Sequence, residues 1–195
     1  MLRICLLFVI FISNVTIADA QRQKLKGSVI DAKSGLGIAK VVVSDGFSVV
    51  TTDARGQFQL MAHDAASFVF ISTPSGYAID HVEGVPLFYK RIDSSASYTF
   101  SLTREAVDDT KHLLLVGADP QPMTDEDGAK WLKMAENDFR PVLDRYPGIP
   151  KIGLMCGDIV GDNHTLYANH KKALKAIGIP FFQVIGNHDV DYDVR

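Results

Sequence analysis

Two rhythms of apolar and polar residues run along this chain, and the change falls near Lys111. From Lys24 to about Glu105, short runs rich in Val, Ile, Phe and Thr predict strands. They are Leu25–Ile30, Lys40–Ser44, Phe47–Thr52, Gln57–Met61, Ser67–Thr73 and Ser97–Leu102. Gly35, Gly37, Gly56 and Pro74-Ser75-Gly76 punctuate them. Turn signals at this close, even spacing predict an all-β sandwich of Ig-like type. Asp45-Gly46, between Val41-Val42-Val43 and Val49-Val50, predicts a hairpin with a type I′ turn, whose two central residues both need positive φ.

Beyond Lys111 strands and helices alternate. Leu113–Val116, Ile152–Cys156 and Phe181–Ile185 are nearly all-apolar strands. The first helix between them has Thr124 as its N-cap and Asp125, Glu126 and Asp127 in its first turn, where the helix dipole favours negative charge. Leu132, Ala135, Phe139, Val142 and Leu143 form its apolar stripe, and Pro141 is expected to kink or restart it. The second helix, around Tyr167–Ile177, turns Leu174 and Ile177 inward and stops at Gly178. This alternation predicts a buried parallel sheet.

Residues 1–20 stand outside both rhythms. Arg3, an apolar run from Ile4 to Ile12, and Ala18-Asp19-Ala20 have the layout of a secretory signal peptide, cleaved before Gln21. The run is too short for a membrane span, and no second candidate span follows. Export to the periplasm or the medium is the expectation. Cys5 lies within the signal, and the only other thiol, Cys156, is expected in the core, so an internal disulfide is excluded. Twenty Lys and Arg against 23 Asp and Glu give a net charge of −3, which supplies no basic face for nucleic acid.

The candidate chemistry sits at the three strand ends. Gly117 leads to Ala118-Asp119-Pro120-Gln121, Gly157 to Asp158-Ile-Val-Gly-Asp162-Asn163, and Gly186 to Asn187-His188-Asp189. In an open parallel sheet, ligands bind beyond the carboxyl ends of the strands. Each glycine is expected to turn the chain sharply, so that the next side chain reaches back across the sheet edge. Carboxylates, amide oxygens and an imidazole are mixed O/N donors suited to Mn, Fe or Zn. Two such ions can clamp a phosphoryl group between them. His63 and His81 stand alone and read as surface or turn residues. His112 precedes the first strand, His164 follows Asn163 in the second loop, and His170 reads as a helix-surface residue. Asn163-His164-Thr165 matches a glycosylation sequon, which beside these loops reads as coincidence.

Asp119-Pro120-Gln121, Gly157-Asp158 and Gly186-Asn187-His188-Asp189 resemble the first three metal motifs of the calcineurin-like metallophosphoesterases. The Gly-x-Val start, the Ser-Asp-Gly hairpin and Thr52-Asp53-Ala-Arg-Gly56-Gln-Phe58 also resemble the β modules of exported bacterial members. The resemblance implies two divalent metal ions, with Asp119 and Gln121 at the first, Asp158 bridging, and Asn187 at the second. It makes His188 the general acid and Asp189 the group that orients and charge-tunes it. Gln121 departs from the family pattern, which has His there, and a neutral amide oxygen is the weaker ligand. Further His motifs of the family are not found before Arg195.

The expected organisation is therefore a signal peptide over 1–20, an Ig-like module over 21–106, and the N-terminal part of an α/β layered phosphoesterase domain over 107–195. The expected function is metal-dependent hydrolysis of a phosphoester, mono- or diester, in a fragment lacking part of the site. The alternative is a noncatalytic exported protein whose β module engages a glycan or a protein.

Overall fold

The structure is a computed structural model that describes residues 23–94 and 97–190. The expected signal peptide lies outside the described residues. The described residues of the first part form β1 (Lys24–Asp31), β2 (Val42–Ser44), β3 (Val49–Thr51), β4 (Gln57–Met61), β5 (Phe68–Ile71), β6 (His81–Val82), β7 (Val85–Pro86), β8 (Tyr89–Arg91) and β9 (Tyr98–Leu102). β1 lies between β4, antiparallel, and β9, parallel. A second, antiparallel sheet runs β3-β2-β5-β8. Alternation along the strands turns Leu25, Val29, Phe58, Leu60 and Phe100 of one sheet toward the same core as Val43, Val69 and Ile71 of the other. Gly27 leaves room for the Phe58 ring, which a Cβ would meet at 2.5 Å.

The turn at Asp45-Gly46 differs from the expected type I′. Ser44 pairs with Val49, so the loop has four residues, and of its two expected left-handed residues only Gly46 has positive φ (91°). The Asp45 carboxylate organises it instead, accepting from the amides of Phe47 (3.0 Å), Ser48 (2.7 Å) and His63 (2.7 Å). An acceptor that serves three amides at once outweighs the two-residue preference. The short strands β6, β7 and β8 carry too few residues to show a period and were not legible in the sequence.

The second part contains β10 (Leu113–Gly117), α1 (Asp125–Met134), α2 (Arg140–Asp144), β11 (Lys151–Cys156), α3 (Tyr167–Ile177) and β12 (Phe181–Val184). The three strands are parallel in the order β10-β11-β12. Thr124 caps α1 by accepting from the Asp127 amide at 3.2 Å. Between α1 and α2 the helix widens into a π-turn at Ala135–Phe139, two residues before Pro141. Pro141 has no N–H to offer the preceding turn, and a widened turn is one of the ways a helix accommodates that loss. Ala135, Leu143, Ala173, Leu174 and Ile177 pack with Met155 and Phe181 in a core separate from the first.

Three expected placements are corrected. Val142 is 40% exposed, because the π-turn rotates α2 and leaves only Leu143 buried there. Cys156 is exposed, since Met155 and Gly153 take the helix-covered face and Cys156 falls on the other. His170 is 4% exposed rather than on the helix surface. It accepts from Trp131 Nε1 at Nδ1 (3.2 Å), and its Nε2 lies 3.1 Å from Gln183 Oε1.

Candidate active site

The three parallel strand ends bring their loops together. Asp119 donates its amide to the Gly157 carbonyl (3.3 Å), and Gln121 to the Asp158 carbonyl (3.1 Å). The first two loops are thus joined through main chain. The third approaches so closely that a Cβ on Gly186 would stand 2.1 Å from Asp158 Oδ1. The His188 amide donates to that same oxygen at 3.2 Å. Asp158 is therefore the centre of the cluster, holding one neighbouring loop by its carbonyl and the other by its carboxylate.

The backbone is strained here. Asp119 (48°), Gln121 (37°), Asp158 (45°) and Asp162 (59°) all have positive φ without being glycine. Each left-handed residue of this kind costs about 1–3 kcal/mol, and such residues gather at functional sites. Of the three glycines expected to turn the chain, only Gly157 does so in the left-handed region (84°). Gly186 is extended, and its smallness serves the approach to Asp158.

His188 is paired differently from the expectation. Its Nδ1 lies 2.8 Å from Asp162 Oδ1. That hydrogen bond, ahead of the charges of Asp162, Asp158 and Asp189, raises its pKa above the ordinary histidine value. Asp189 is occupied elsewhere. Its Oδ1 accepts from the Val160 amide (3.0 Å) and its Oδ2 from the Gly186 amide (2.8 Å). Burial pushes Asp189 up, but these amides and that of Ile159 outweigh it and hold the carboxyl below the usual range. Asp189 thus closes the loop and acts on His188 through its charge, while Asp162 holds the ring. The sequence placed Asp162 in the second loop but offered no sign that it meets His188. Tyr167 donates to the Asp189 carbonyl at 3.2 Å, and burial first, then the Asp189 charge, pushes its phenol to about 12.

The other histidines fall outside this cluster. His63 stacks on Phe47 with ring centroids 4.0 Å apart, and His81 Nδ1 accepts from the Gly84 amide at 3.1 Å. His164 Nε2 is buried without a hydrogen-bond partner among the described residues, while its ring lies 5.9 Å from that of Tyr167. Asn163 accepts from the Thr165 hydroxyl at 2.6 Å and begins a short helical turn.

The oxygens of Asp119, Gln121, Asp158 and Asn187 suit a hard or borderline cation. Among the described residues, no three His, Cys, Asp or Glu side chains gather so as to hold a metal ion. Asp119 and Gln121 line a cavity toward α1, with Lys130, Trp131 and Met134. These residues alone do not fit a pair of metals.

Residues 23–105 match the family model described as the N terminal of calcineurin-like phosphoesterase. That part of the chain is similar to the N-terminal region of calcineurin-like phosphoesterases. Among solved structures, a streptococcal ancillary pilin is similar at 13% identity with a TM-score of 0.33, over 44% of this chain and 30% of that one. The chain thus spans less than a third of that relative. No curated protein matches.

Proposed function

We propose that the chain is the N-terminal part of an exported metal-dependent phosphoesterase. In this reading 21–106 is an Ig-like module that follows a cleaved signal peptide, and 107–195 is the first part of the α/β catalytic domain. The observation that carries the reading is the His188–Asp162 pair, 2.8 Å apart, at the rim of Asp158. An imidazole held by a carboxylate at Nδ1 has Nε2 free to give a proton to a departing oxygen, the service that an alkyl phosphoester needs. Asp162 fixes the ring and favours its protonated form. Asp158 fixes the backbone beneath it. Calcineurin-like enzymes generally use divalent metals, and Mn, Fe or Zn is the expected class here. Asp119, Gln121, Asp158 and Asn187 would supply some of the donors, with the rest coming from outside these residues.

The test is an assay with alkyl and aryl phosphate mono- and diesters in the presence of Mn²⁺, Zn²⁺ or Fe²⁺. It is run on the chain alone and on the chain joined to whatever its reading frame encodes after Arg195. Turnover is expected in the extended form. There His188→Ala should lower kcat by about 10²–10⁴ on an alkyl ester. The loss should be smaller on an activated aryl ester, whose leaving oxygen hardly needs a proton. Asp162→Asn should act in the same direction. Equal losses on both esters would remove the general-acid role, and an extended form inert toward every ester would overturn the reading.

A further inference from the structure

The turn between β6 and β7 reaches across to the second core. Val82 pairs with Val85, leaving Glu83 and Gly84 as a two-residue turn with φ of 52° and 88°. Both residues are left-handed, as a type I′ turn requires. Glutamate is a poor choice for that conformation, where Asn, Asp or Gly is usual, so the turn itself does not account for Glu83. What does is α3. Glu83 Oε1 lies 2.8 Å from Lys175 Nζ, and Oε2 lies 3.4 Å from Lys171 Nζ. The two lysines are four residues apart and so share one face of the helix.

Three further contacts converge on the same place. The Gly84 carbonyl accepts from the amide of Phe181, the first residue of β12, at 2.8 Å. β12 is the edge of its sheet, and an edge strand left bare presents unpaired N–H groups. Gly84 also sits against α3 so tightly that a Cβ would stand 2.7 Å from Leu174 Cβ. Beyond β7, Phe88 packs on Phe182 with ring centroids 5.1 Å apart. Backbone pairing, close packing, an aromatic contact and opposite charges all select one docked position.

We propose that the β6–β7 turn is a dock that joins the β module to β12 and α3, so that the two cores behave as one unit. β12 spans only Phe181–Val184, and the loop with Asn187 and His188 follows directly. β11 holds β12 along its length and the dock adds a second hold at its first residue, so the module contributes to where that loop stands. The dock is independent of the phosphoesterase reading, because it concerns the joining of the cores and not a reaction.

The experiment follows amide exchange and the His188 imidazole resonances by NMR in the whole chain. Gly84→Val should speed exchange of the Phe181 amide by about tenfold or more and shift the His188 signals. The Val29 and Val43 amides, deep in the module, should stay protected. Glu83→Lys should speed Phe181 exchange by a smaller factor, about two- to fivefold, as exposed ion pairs allow. Pairing it with Lys171→Glu and Lys175→Glu should restore the original rate. If Gly84→Val fails to fold, the Glu83 series decides by itself. Unchanged Phe181 exchange in the variants, or no rescue by the paired reversal, would overturn the dock whether or not any ester is hydrolysed.

Discussion

Gly186 has φ −96° and ψ −176°, a conformation open to any residue. What excludes a side chain is Asp158, whose amide nitrogen and Oδ1 would lie 2.2 and 2.1 Å from an added Cβ. Gly186→Ala should therefore force the second and third loops apart, break the His188–Asp158 contact and lower stability by about 1–3 kcal/mol. Urea unfolding checks this, and a change within about 0.5 kcal/mol, typical of free surface sites, would show that the loops yield without cost. At this scale the polar residues after each strand end lie where parallel strands deliver them. The Asp158 loop and the Gly186–His188 loop meet at one edge because parallel strands deliver their ends there. The sequence is a poorer guide where two loops choose partners. Asp162 and not Asp189 holds the His188 ring, 26 residues away, because Asp189 is taken up by the amides of its own loop and its neighbour.

The helices carry the same contrast. Thr124, the acidic first turn of α1 and the stop at Gly178 act within a few residues, so their sequence signals survived folding. His170 did not reveal itself, because its burial depends on Trp131 from α1 and Gln183 from β12. Burial, only partly offset by Gln183, lowers its pKa below the ordinary histidine value. The unfolded chain then binds the proton more readily than the folded one. Stability is therefore full above about pH 6.5, the unfolded histidine value, and falls as the pH drops below it. His170→Gln keeps hydrogen-bonding capacity without titrating in this range. Urea midpoints at pH 7.5 and 5.5 should differ more in the unaltered chain than in this variant. An equal difference in both would assign the acid sensitivity to other groups.

Across the whole molecule, the described helices cover one face of the three-stranded sheet. On the other, Leu114, Val116 and Val184 are each at least half exposed, with Cys156 beside them. Apolar surface of this kind drives association. Leu114→Thr with Val116→Thr should reduce both light scattering and the binding of a hydrophobic dye by the purified chain. Unfolding should move by no more than about 0.5 kcal/mol, as for exposed sites generally. Undiminished dye binding would place the sticky surface elsewhere, such as the groove lined by Phe47, Phe68 and Tyr89. The sequence alone determined what depends on neighbours along the chain: the strand periods, the helix caps, the change of rhythm near Lys111 and the polar residues after each apolar strand. Tertiary structure alone decided which of those polar groups pair, why His170 is buried, and where the unpredicted β6–β7 turn docks. Those outcomes rest on contacts between residues far apart in sequence, and a local pattern carries no record of a partner it does not contain.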